Sequence, residues 1–205
     1  GPHFPHHTAP PEYQAMYQPD DLVLRPNVPE NQEPRTRAEL QGYYGHCTAI
    51  DKCVGDLYRT LHNAGIAEDT IFVFASDHGD MHGSHDKKSW RKRFPWDESA
   101  CVPFLCHYPR IHEGGQRFTT PFDTLDIMPT LLGLAGIEPP DTGDGEDLSA
   151  VFKGQGEIEG RARLIMNAVD SPNYCGIPAY RAVRTDRHLY ARTHDGPWLL
   201  YDNEN

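Results

Sequence analysis

The sequence predicts an α/β fold, with a mostly parallel sheet flanked by helices and a small antiparallel part at the C-terminal end. Three patterns lead to this prediction. A long helix with one apolar stripe leads into a short apolar strand, and a second apolar strand and a short helix follow. Strands that are apolar throughout are typical of sheets covered on both faces by helices. Closely spaced strands near the end of the chain are instead typical of antiparallel hairpins.

The N-terminal region, residues 1–35, is rich in proline and histidine. Proline fixes φ and removes a backbone donor, so this region is predicted to be irregular and extended. It also carries large apolar side chains such as Phe4, Tyr13 and Leu24, which disordered tails usually lack. We therefore expect an ordered loop region.

The first long element is a helix followed by a strand. Thr36 and Glu39 fit a capping box, which predicts that the helix starts at Thr36. Apolar residues then recur at spacings of three and four, and Gly65 is expected just after the helix, at its C′ position. The strand is predicted over 70–76. Its apolar run is typical of a strand that is buried on both faces.

The later strands follow a basic loop over 86–100. A second buried strand is predicted at 102–108 and a third at 163–169. The segments "AYRAVRT", "LYART" and "WLLYDN" near the end are predicted to be antiparallel strands.

A short helix is predicted over 125–136. Asp126 is expected to be its N-cap, Pro129 to lie in its first turn and Gly136 to end it.

The composition narrows the classes of partner. The chain has 205 residues and a formal net charge of −11, which argues against nucleic acid or an anionic membrane as the main partner. An anionic substrate remains compatible with this charge, because a bound divalent cation reverses the local sign. No apolar run approaches the ~20 residues of a membrane-spanning helix. No signal peptide is visible, and the cellular compartment is left open.

The number and spacing of the five cysteines do not match a disulfide-stabilised or zinc-binding scaffold. Their odd number and wide spacing argue against a disulfide framework, and the absence of a C-x-x-C pair argues against a zinc knuckle.

The chemistry of the sequence is concentrated where the strand over 70–76 ends. Ligands of open α/β sheets bind beyond the carboxyl ends of the strands, and Asp77 and His78 occupy that position. A carboxylate oxygen and an imidazole nitrogen that are adjacent in sequence can bind one cation, and Gly79 lets the chain bend there. The residues alone leave an alternative open, in which Asp77 caps a turn and His78 is a surface residue.

Longer motifs around these residues resemble those of the sulfatase family in the alkaline-phosphatase superfamily. The segments are "FASDHGDMHGSH" and "KRFPWDESACVPFLCHYP", and similar stretches extend over nearly the whole chain. The resemblance implies an alkaline-phosphatase-like α/β fold. It also implies metal-dependent hydrolysis of a sulfate monoester in the full-length protein, in which a hydrated formylglycine attacks the sulfur.

The resemblance assigns roles to individual residues. Asp77 and His78 match the family's metal ligands, and the expected metal is Ca²⁺, with Mg²⁺ or Mn²⁺ as alternatives. Lys92 matches the lysine that binds the sulfate, although the basic composition of its loop alone would favour an ordinary solvated side chain. His3 matches a histidine that protonates the leaving alcohol, the alternative being a mobile terminus or a tag.

Three further residues follow the metal motif. His85 and Asp80 are expected to lie around the metal ligands and support them, and a structural hydrogen bond is expected for His82.

Two parts of the family pattern are missing. The nucleophile motif C/S-x-P-S-R is absent, because "CVPFL" at 101–105 departs from it, and the family's early strand that ends in an Asp-Asp pair is not present. Cys101 also replaces an arginine of the family pattern. Residues 1–155 are thus expected to be the later portion of a catalytic domain. Residues 156–205 are expected to hold the last strand and the start of an antiparallel C-terminal region.

These departures leave several functions to compare. We expect no turnover from this chain alone, because it lacks the nucleophile. The alternatives to a sulfatase are a phosphodiester or phosphonate monoester hydrolase of the same superfamily and a non-catalytic truncated relative. The expected partner is a small-molecule or saccharide sulfate ester, with no nucleic acid and no membrane span, and the oligomeric state is left open.

Overall fold

The computed structural model describes residues 2–88, 90–111, 114–141, 143–168 and 176–204. The chain divides into two compact units. The first comprises Gly1–Gly65 and Ser76–Pro103, and the second comprises Ile66–Ala75 and Phe104–Asn205. None of the helices in the described ranges has both the length and the apolar content required to cross a bilayer.

The first unit is built on one long helix, α2 (Glu33–Asn63), which follows the short helix α1 (Pro11–Gln14). The N-terminal region packs along α2 as an ordered series of turns, as predicted. Two glycines of α2 permit this close packing. A Cβ atom on Gly42 would lie 2.3 Å from the carbonyl oxygen of His6, and one on Gly45 would lie 3.1 Å from the backbone nitrogen of Gln14. The missing side chains therefore let the N-terminal backbone lie directly on the helix.

Replacing Gly42 by alanine is expected to destabilise the protein by about 2 kcal/mol, because overpacking costs about 1–3 kcal/mol and exceeds the gain in helix propensity. Gly55→Ala is the matched control on the same helix, since its Cβ would meet only the flexible tip of Arg59 at 3.4 Å. That variant is expected to gain about 0.5–1 kcal/mol. Urea unfolding of the two variants measures the difference, and equal effects would contradict this account of the contact.

The prediction for α2 is correct at its C-terminal end and wrong at its N-terminal end. The C-terminal end is confirmed, because Gly65 has φ +71° and its N–H donates to the carbonyl of His62. The predicted start at Thr36 is wrong, since the helix begins three residues earlier and takes Pro34 into its first turn. Thr36 is buried inside the helix, where its hydroxyl lies against Gly83.

The other part of the first unit, residues 76–103, is a long loop folded back on itself. Its described residues include a 3-10 turn (Ser84–Asp86) and the short α-helix α3 (Asp97–Ala100). The N–H of Gly79 donates to the carbonyl of Ser99 at 2.8 Å, and the N–H of Met81 donates to the carbonyl of Arg91 at 3.2 Å. Met81 is fully buried. These contacts give the loop a defined shape without long secondary structure.

The second unit contains β1 (Phe72–Ala75) and β2 (Phe104–His107), which form a two-stranded sheet. Both strands lie within the predicted ranges, but they pair antiparallel, with Phe72 opposite His107. No parallel pair occurs in the described part of the chain, so the expected parallel pairing is not found there. The loop 76–103 connects the two strands and returns the chain in the opposite direction.

The burial predicted for these two strands is also only partly reached. The side chains of β1 are half-buried apart from the exposed Ala75, and Leu105 in β2 is 61% exposed. A sheet of two strands has little surface with which to cover both of its faces.

Helix α4 (Thr124–Leu134) begins at a capping box in which Asp123 is the N-cap. The expectation that Asp126 is the N-cap is therefore wrong by one helical turn, and Pro129 lies in the second turn. Asp126 instead accepts hydrogen bonds from Arg161 at 2.9 Å and is fully buried. Gly136 ends the helix with φ +74°, as predicted. The short helix α5 (Ser149–Phe152) follows.

A four-stranded antiparallel sheet completes the second unit and confirms the predicted C-terminal hairpins. Its strands, in both chain and spatial order, are β3 (Arg163–Asn167), β4 (Tyr180–Arg184), β5 (His188–Thr193) and β6 (Gly196–Asp202). Burial alternates along the central strands, because successive side chains point to opposite faces. The end of the predicted strand 163–169, at Val169, lies outside the described residues.

Candidate active site

The first unit brings three of the predicted site residues together. Asp77 and His78 follow β1 after one residue, and the hydroxyl of Ser76 donates to the carbonyl of His78 at 2.9 Å. The backbone N–H of His78 donates to Oδ1 of Asp77 at 3.0 Å. Gly79 continues the turn close to Glu98, in a space that a Cβ atom would fill. The local backbone thus holds the two side chains side by side.

The hydrogen bonds of His78 define its tautomer. Nδ1 lies 2.8 Å from the carbonyl oxygen of Gly79, which can only accept, so Nδ1 carries the proton. Nε2 then carries a lone pair, and it lies 3.6 Å from Oδ2 of Asp77. A carboxylate oxygen and an imidazole lone pair on facing atoms are a suitable pair of ligands for a divalent cation. Asp77 is 86% exposed at its side chain, so its carboxylate is accessible from solvent.

Lys92 points to the same place from the opposite side of the loop. Its Nζ lies 2.9 Å from Nε2 of His78, to which it donates. The side chain is half-buried, and the N–H of the preceding Arg91 is held by the carbonyl of Lys88 at 2.9 Å. Lys92 is therefore an organised part of this site rather than an ordinary solvated base. An ammonium group beside a carboxylate and an imidazole is a source of positive charge that suits an anionic ligand.

His3 is exposed, and its Nδ1 donates to the carbonyl of Phe4. Within the described part of the chain it makes no hydrogen bond or ion pair to Asp77, His78 or Lys92. Its neighbour Phe4 packs against Trp90 with 6.4 Å between ring centroids. The segment that carries His3 thus lies next to the loop that carries Lys92.

His85 lies in a separate network. Its ring stacks on Trp96 with 4.3 Å between centroids, and its Nε2 is 3.5 Å from the carboxylate of Glu98. Asn27 donates to the same carboxylate at 2.7 Å. These contacts tie the N-terminal region to the loop 76–103.

Asp80 and His82 form a second group together with His6, which no sequence motif predicted. One potential ligand atom from each of the three residues lies within 4.8 Å of the others. His6 and His82 are buried, and Asp80 is half-buried. The expected structural hydrogen bond of His82 is not found, because neither ring nitrogen has a partner in the described residues. The pattern D-x-H at 80–82 was the available signal, but His6 comes from far away in sequence.

Burial dominates the titration of this second group. It raises the pKa of Asp80 to about 7, against the favourable hydrogen bond from the N–H of His82. It lowers the pKa of His82 to about 3, and it lowers the pKa of His6 although the carboxylate of Glu39 opposes that shift. Both imidazoles are therefore neutral at pH 7 and keep a lone pair.

The chain was compared with known families and proteins. The model of the family described as Sulfatase matches residues 1–137, and the model described as N-sulphoglucosamine sulphohydrolase, C-terminal, matches residues 82–205. The chain is similar to an ulvan-active sulfatase of Formosa agariphila, with 46% identity over 204 residues that cover 98% of this chain. It is also similar to an N-acetylglucosamine-6-O-sulfatase of Bacteroides thetaiotaomicron, with 29% identity over 80% of this chain. The chain spans 40% and 28% of the lengths of these two relatives.

A solved structure gives the same result for the fold. The crystal structure of the sulfatase-like protein yidJ of Bacteroides fragilis superposes with a TM-score of 0.84 and 26% identity. The match covers 100% of this chain and 46% of that one. This similarity confirms the predicted alkaline-phosphatase-like α/β fold class.

Proposed function

Because the chain belongs to the sulfatase family, we propose that the protein that carries it hydrolyses sulfate monoesters. The observation that most supports this is the convergence of three side chains on one point. Nε2 of His78 lies 2.9 Å from Nζ of Lys92 and 3.6 Å from Oδ2 of Asp77. A pair of cation ligands and a neighbouring ammonium group suit an anionic ester whose leaving oxygen becomes negative.

Asp77 and His78 fit a divalent cation as part of its ligand set. The hydrogen bond from Nδ1 of His78 to Gly79 keeps a lone pair on Nε2, which coordinates a cation once Lys92 donates to the substrate instead, and the adjacent carboxylate adds oxygen ligands. We propose Ca²⁺ as the ion, with Mg²⁺ and Mn²⁺ as the alternatives, because carboxylate oxygens suit hard cations. When bound, such an ion supplies Lewis-acid stabilisation of negative charge on the sulfate.

We propose that Lys92 and His3 act on the substrate. In this structure the ammonium group of Lys92 donates a hydrogen bond to Nε2 of His78. When the substrate is bound, it donates to a sulfate oxygen instead. His3 is exposed, and its imidazole acts as the general acid that protonates the departing alcohol oxygen. Asp80 and His85 keep the loop 76–103 in shape. We assign the nucleophile to no residue of this chain, because no C/S-x-P-S-R motif is present in it.

We further propose that the alcohol is a sugar. The relatives in the comparison include an N-acetylglucosamine-6-O-sulfatase, which supports a sulfated saccharide as the substrate class. For the organisation of the chain we propose that residues 1–155 are the later portion of the catalytic domain. Residues 156–205 then contain the last strand and the antiparallel C-terminal region, which the sheet β3–β6 supports.

The decisive experiment compares esters of one alcohol in the full-length protein. The rate on 4-nitrophenyl sulfate is expected to exceed the rates on 4-nitrophenyl phosphate and on 4-nitrophenyl phenylphosphonate, and a sulfated oligosaccharide is expected to be hydrolysed faster still. A dominant phosphate or phosphonate rate would assign the protein to the other hydrolases of the superfamily. No turnover of any ester, in a folded and metal-loaded protein, would support a non-catalytic role.

Replacing Asp77 by alanine is expected to weaken Ca²⁺ binding by about 100-fold, because one charged ligand is lost from the cation. Asp51→Ala is the control, since Asp51 is an exposed carboxylate on the outer surface of α2. Isothermal titration of the chelator-treated full-length protein with CaCl₂ measures both. The assignment fails if the two variants bind Ca²⁺ equally well.

A further inference from the structure

The group of His6, Asp80 and His82 has the composition of a transition-metal site. Two imidazoles and one carboxylate offer ligand atoms within 4.8 Å of one another. The three side chains come from two distant parts of the first unit. His6 lies in a short 3-10 turn of the N-terminal region, and the other two lie in the loop 76–103. The contact of His6 with the Cβ-free face of Gly42 fixes where its backbone lies.

Several polar atoms in this group are buried without a hydrogen bond. Among the described residues, both ring nitrogens of His82 and Nδ1 of His6 have no partner, and neither does Oε2 of Glu39. The side chains of His6 and His82 are only 2% and 6% exposed. A buried polar group without a partner costs about 1–3 kcal/mol, so several of them in one place indicate a missing ligand.

The surroundings favour an ion over a larger ligand. Tyr43 packs edge-on against both imidazoles, with centroid distances of 5.5 Å to His6 and 4.5 Å to His82. The ring centroids of the two imidazoles lie 5.2 Å apart. After a small rotation of the rings, this distance leaves room for a single atom between their nitrogens. Oε2 of Glu39 lies 4.0 Å from Nδ1 of His6, so a carboxylate stands beside one imidazole to orient it or to add negative charge.

We propose that His6, Asp80 and His82 bind a transition-metal ion of the Zn²⁺ type, at a site separate from Asp77 and His78. Two imidazoles and a carboxylate are a common set of three protein ligands for Zn²⁺. Bonds of about 2.0–2.2 Å require the ligand atoms to move closer together than they are here, so the site tightens when the ion binds. The ion joins the N-terminal region to the loop 76–103. It thereby acts as a structural clamp between the segment of His3 and the loop of Lys92.

Zinc content tests the proposal in the full-length protein. After chelator treatment and incubation with ZnCl₂, elemental analysis of the wild type is expected to show one Zn²⁺ per chain that survives extensive dialysis. Asp77→Ala, which removes a ligand of the other site, is expected to retain that ion. His82→Phe and Asp80→Asn are expected to lose it, with a decrease in affinity of at least about 100-fold. Zn²⁺ is also expected to raise the Tm of the wild type and not that of these two variants.

Two substitutions are used because one of them can fail to fold. Phenylalanine keeps an aromatic ring beside Tyr43, and asparagine has the same shape as the aspartate that it replaces at position 80. Far-UV circular dichroism then shows which of the two variants is folded. CoCl₂ in place of ZnCl₂ adds a spectroscopic readout, since Co²⁺ with mixed nitrogen and oxygen ligands absorbs visible light. A wild type that retains no Zn²⁺, or a folded His82→Phe or Asp80→Asn variant that retains it fully, would overturn the proposal. Loss of the ion in Asp77→Ala but not in Asp80→Asn would assign it to the other site and would overturn the proposal as well.

Discussion

Replacing Lys92 by alanine is expected to lower kcat/KM for a sulfate ester by about 10³-fold in the full-length protein, as the loss of a preorganised charge from an active site typically does. The ammonium group lies 2.9 Å from Nε2 of His78, so it is already at the site before a substrate binds. Its removal leaves the developing negative charge without its nearest cation from the protein. Steady-state kinetics on 4-nitrophenyl sulfate measure the loss.

Lys88→Ala is the matched control for this prediction. Lys88 belongs to the same basic loop, but its side chain is exposed and its Nζ lies over the ring of Trp90, 5.8 Å from the centroid. Its loss is expected to change kcat/KM by less than about 3-fold, since screened surface charges contribute little. Lys92→Arg is expected to recover only part of the activity, because a planar guanidinium differs in shape and reach from a compact ammonium. Equal losses in the Lys88 and Lys92 variants would show that only the summed charge of the loop matters.

The second large effect is expected at Asp126. This carboxylate is fully buried and accepts hydrogen bonds from Arg161 at 2.9 Å and from Arg163 at 3.0 Å. It also accepts from the backbone N–H groups of Asp123 and Glu146. Asp126→Ala leaves two guanidinium groups with too little opposite charge, and breaking a buried ion pair in this way costs about 3–5 kcal/mol. Thermal unfolding of the variant is expected to show a Tm lower by about 6–20 °C, given about 2–4 °C per kcal/mol for a chain of this size.

Asp202→Ala gives the comparison for that experiment. Asp202 pairs with Arg187 in the C-terminal sheet, where the two side chains are 30% and 43% exposed. Surface ion pairs are screened and contribute little, so the Tm is expected to change only slightly. If both variants lose stability to the same extent, the burial of Asp126 is not the cause of its effect.

The role of Asp126 shows where sequence reasoning reaches its limit. Asp123 and Asp126 lie one helical turn apart, and each has the residue type of an N-cap, so local preference does not separate them. The choice is made by Arg161, which is 35 residues further along the chain and pairs with Asp126 in the interior. A partner at that distance leaves no local pattern, whereas Gly65 and Gly136 were predictable because a C′ glycine depends only on its own helix.

The same distinction applies to the site and the strands. The adjacency of Asp77 and His78, and the spacing of Lys92 from its motif, predicted a group that the structure brings together. His6 was missed because its neighbours in the fold belong to another segment. The antiparallel pairing of β1 with β2 was not predicted, since an apolar run reports burial but carries no information about the direction of its neighbour.

The first compact unit is discontinuous, because Gly1–Gly65 and Ser76–Pro103 are separated by residues of the second unit. During synthesis on the ribosome, the long helix and the proline-rich segment emerge before the residues that cover them. Contacts between distant segments also form more slowly than local ones. The contacts of the early segment with residues 76–103 therefore form only after the chain as far as Pro103 has left the exit tunnel. A translational pause before that point delays these contacts, and chaperone binding to the nascent chain is expected to be strongest there.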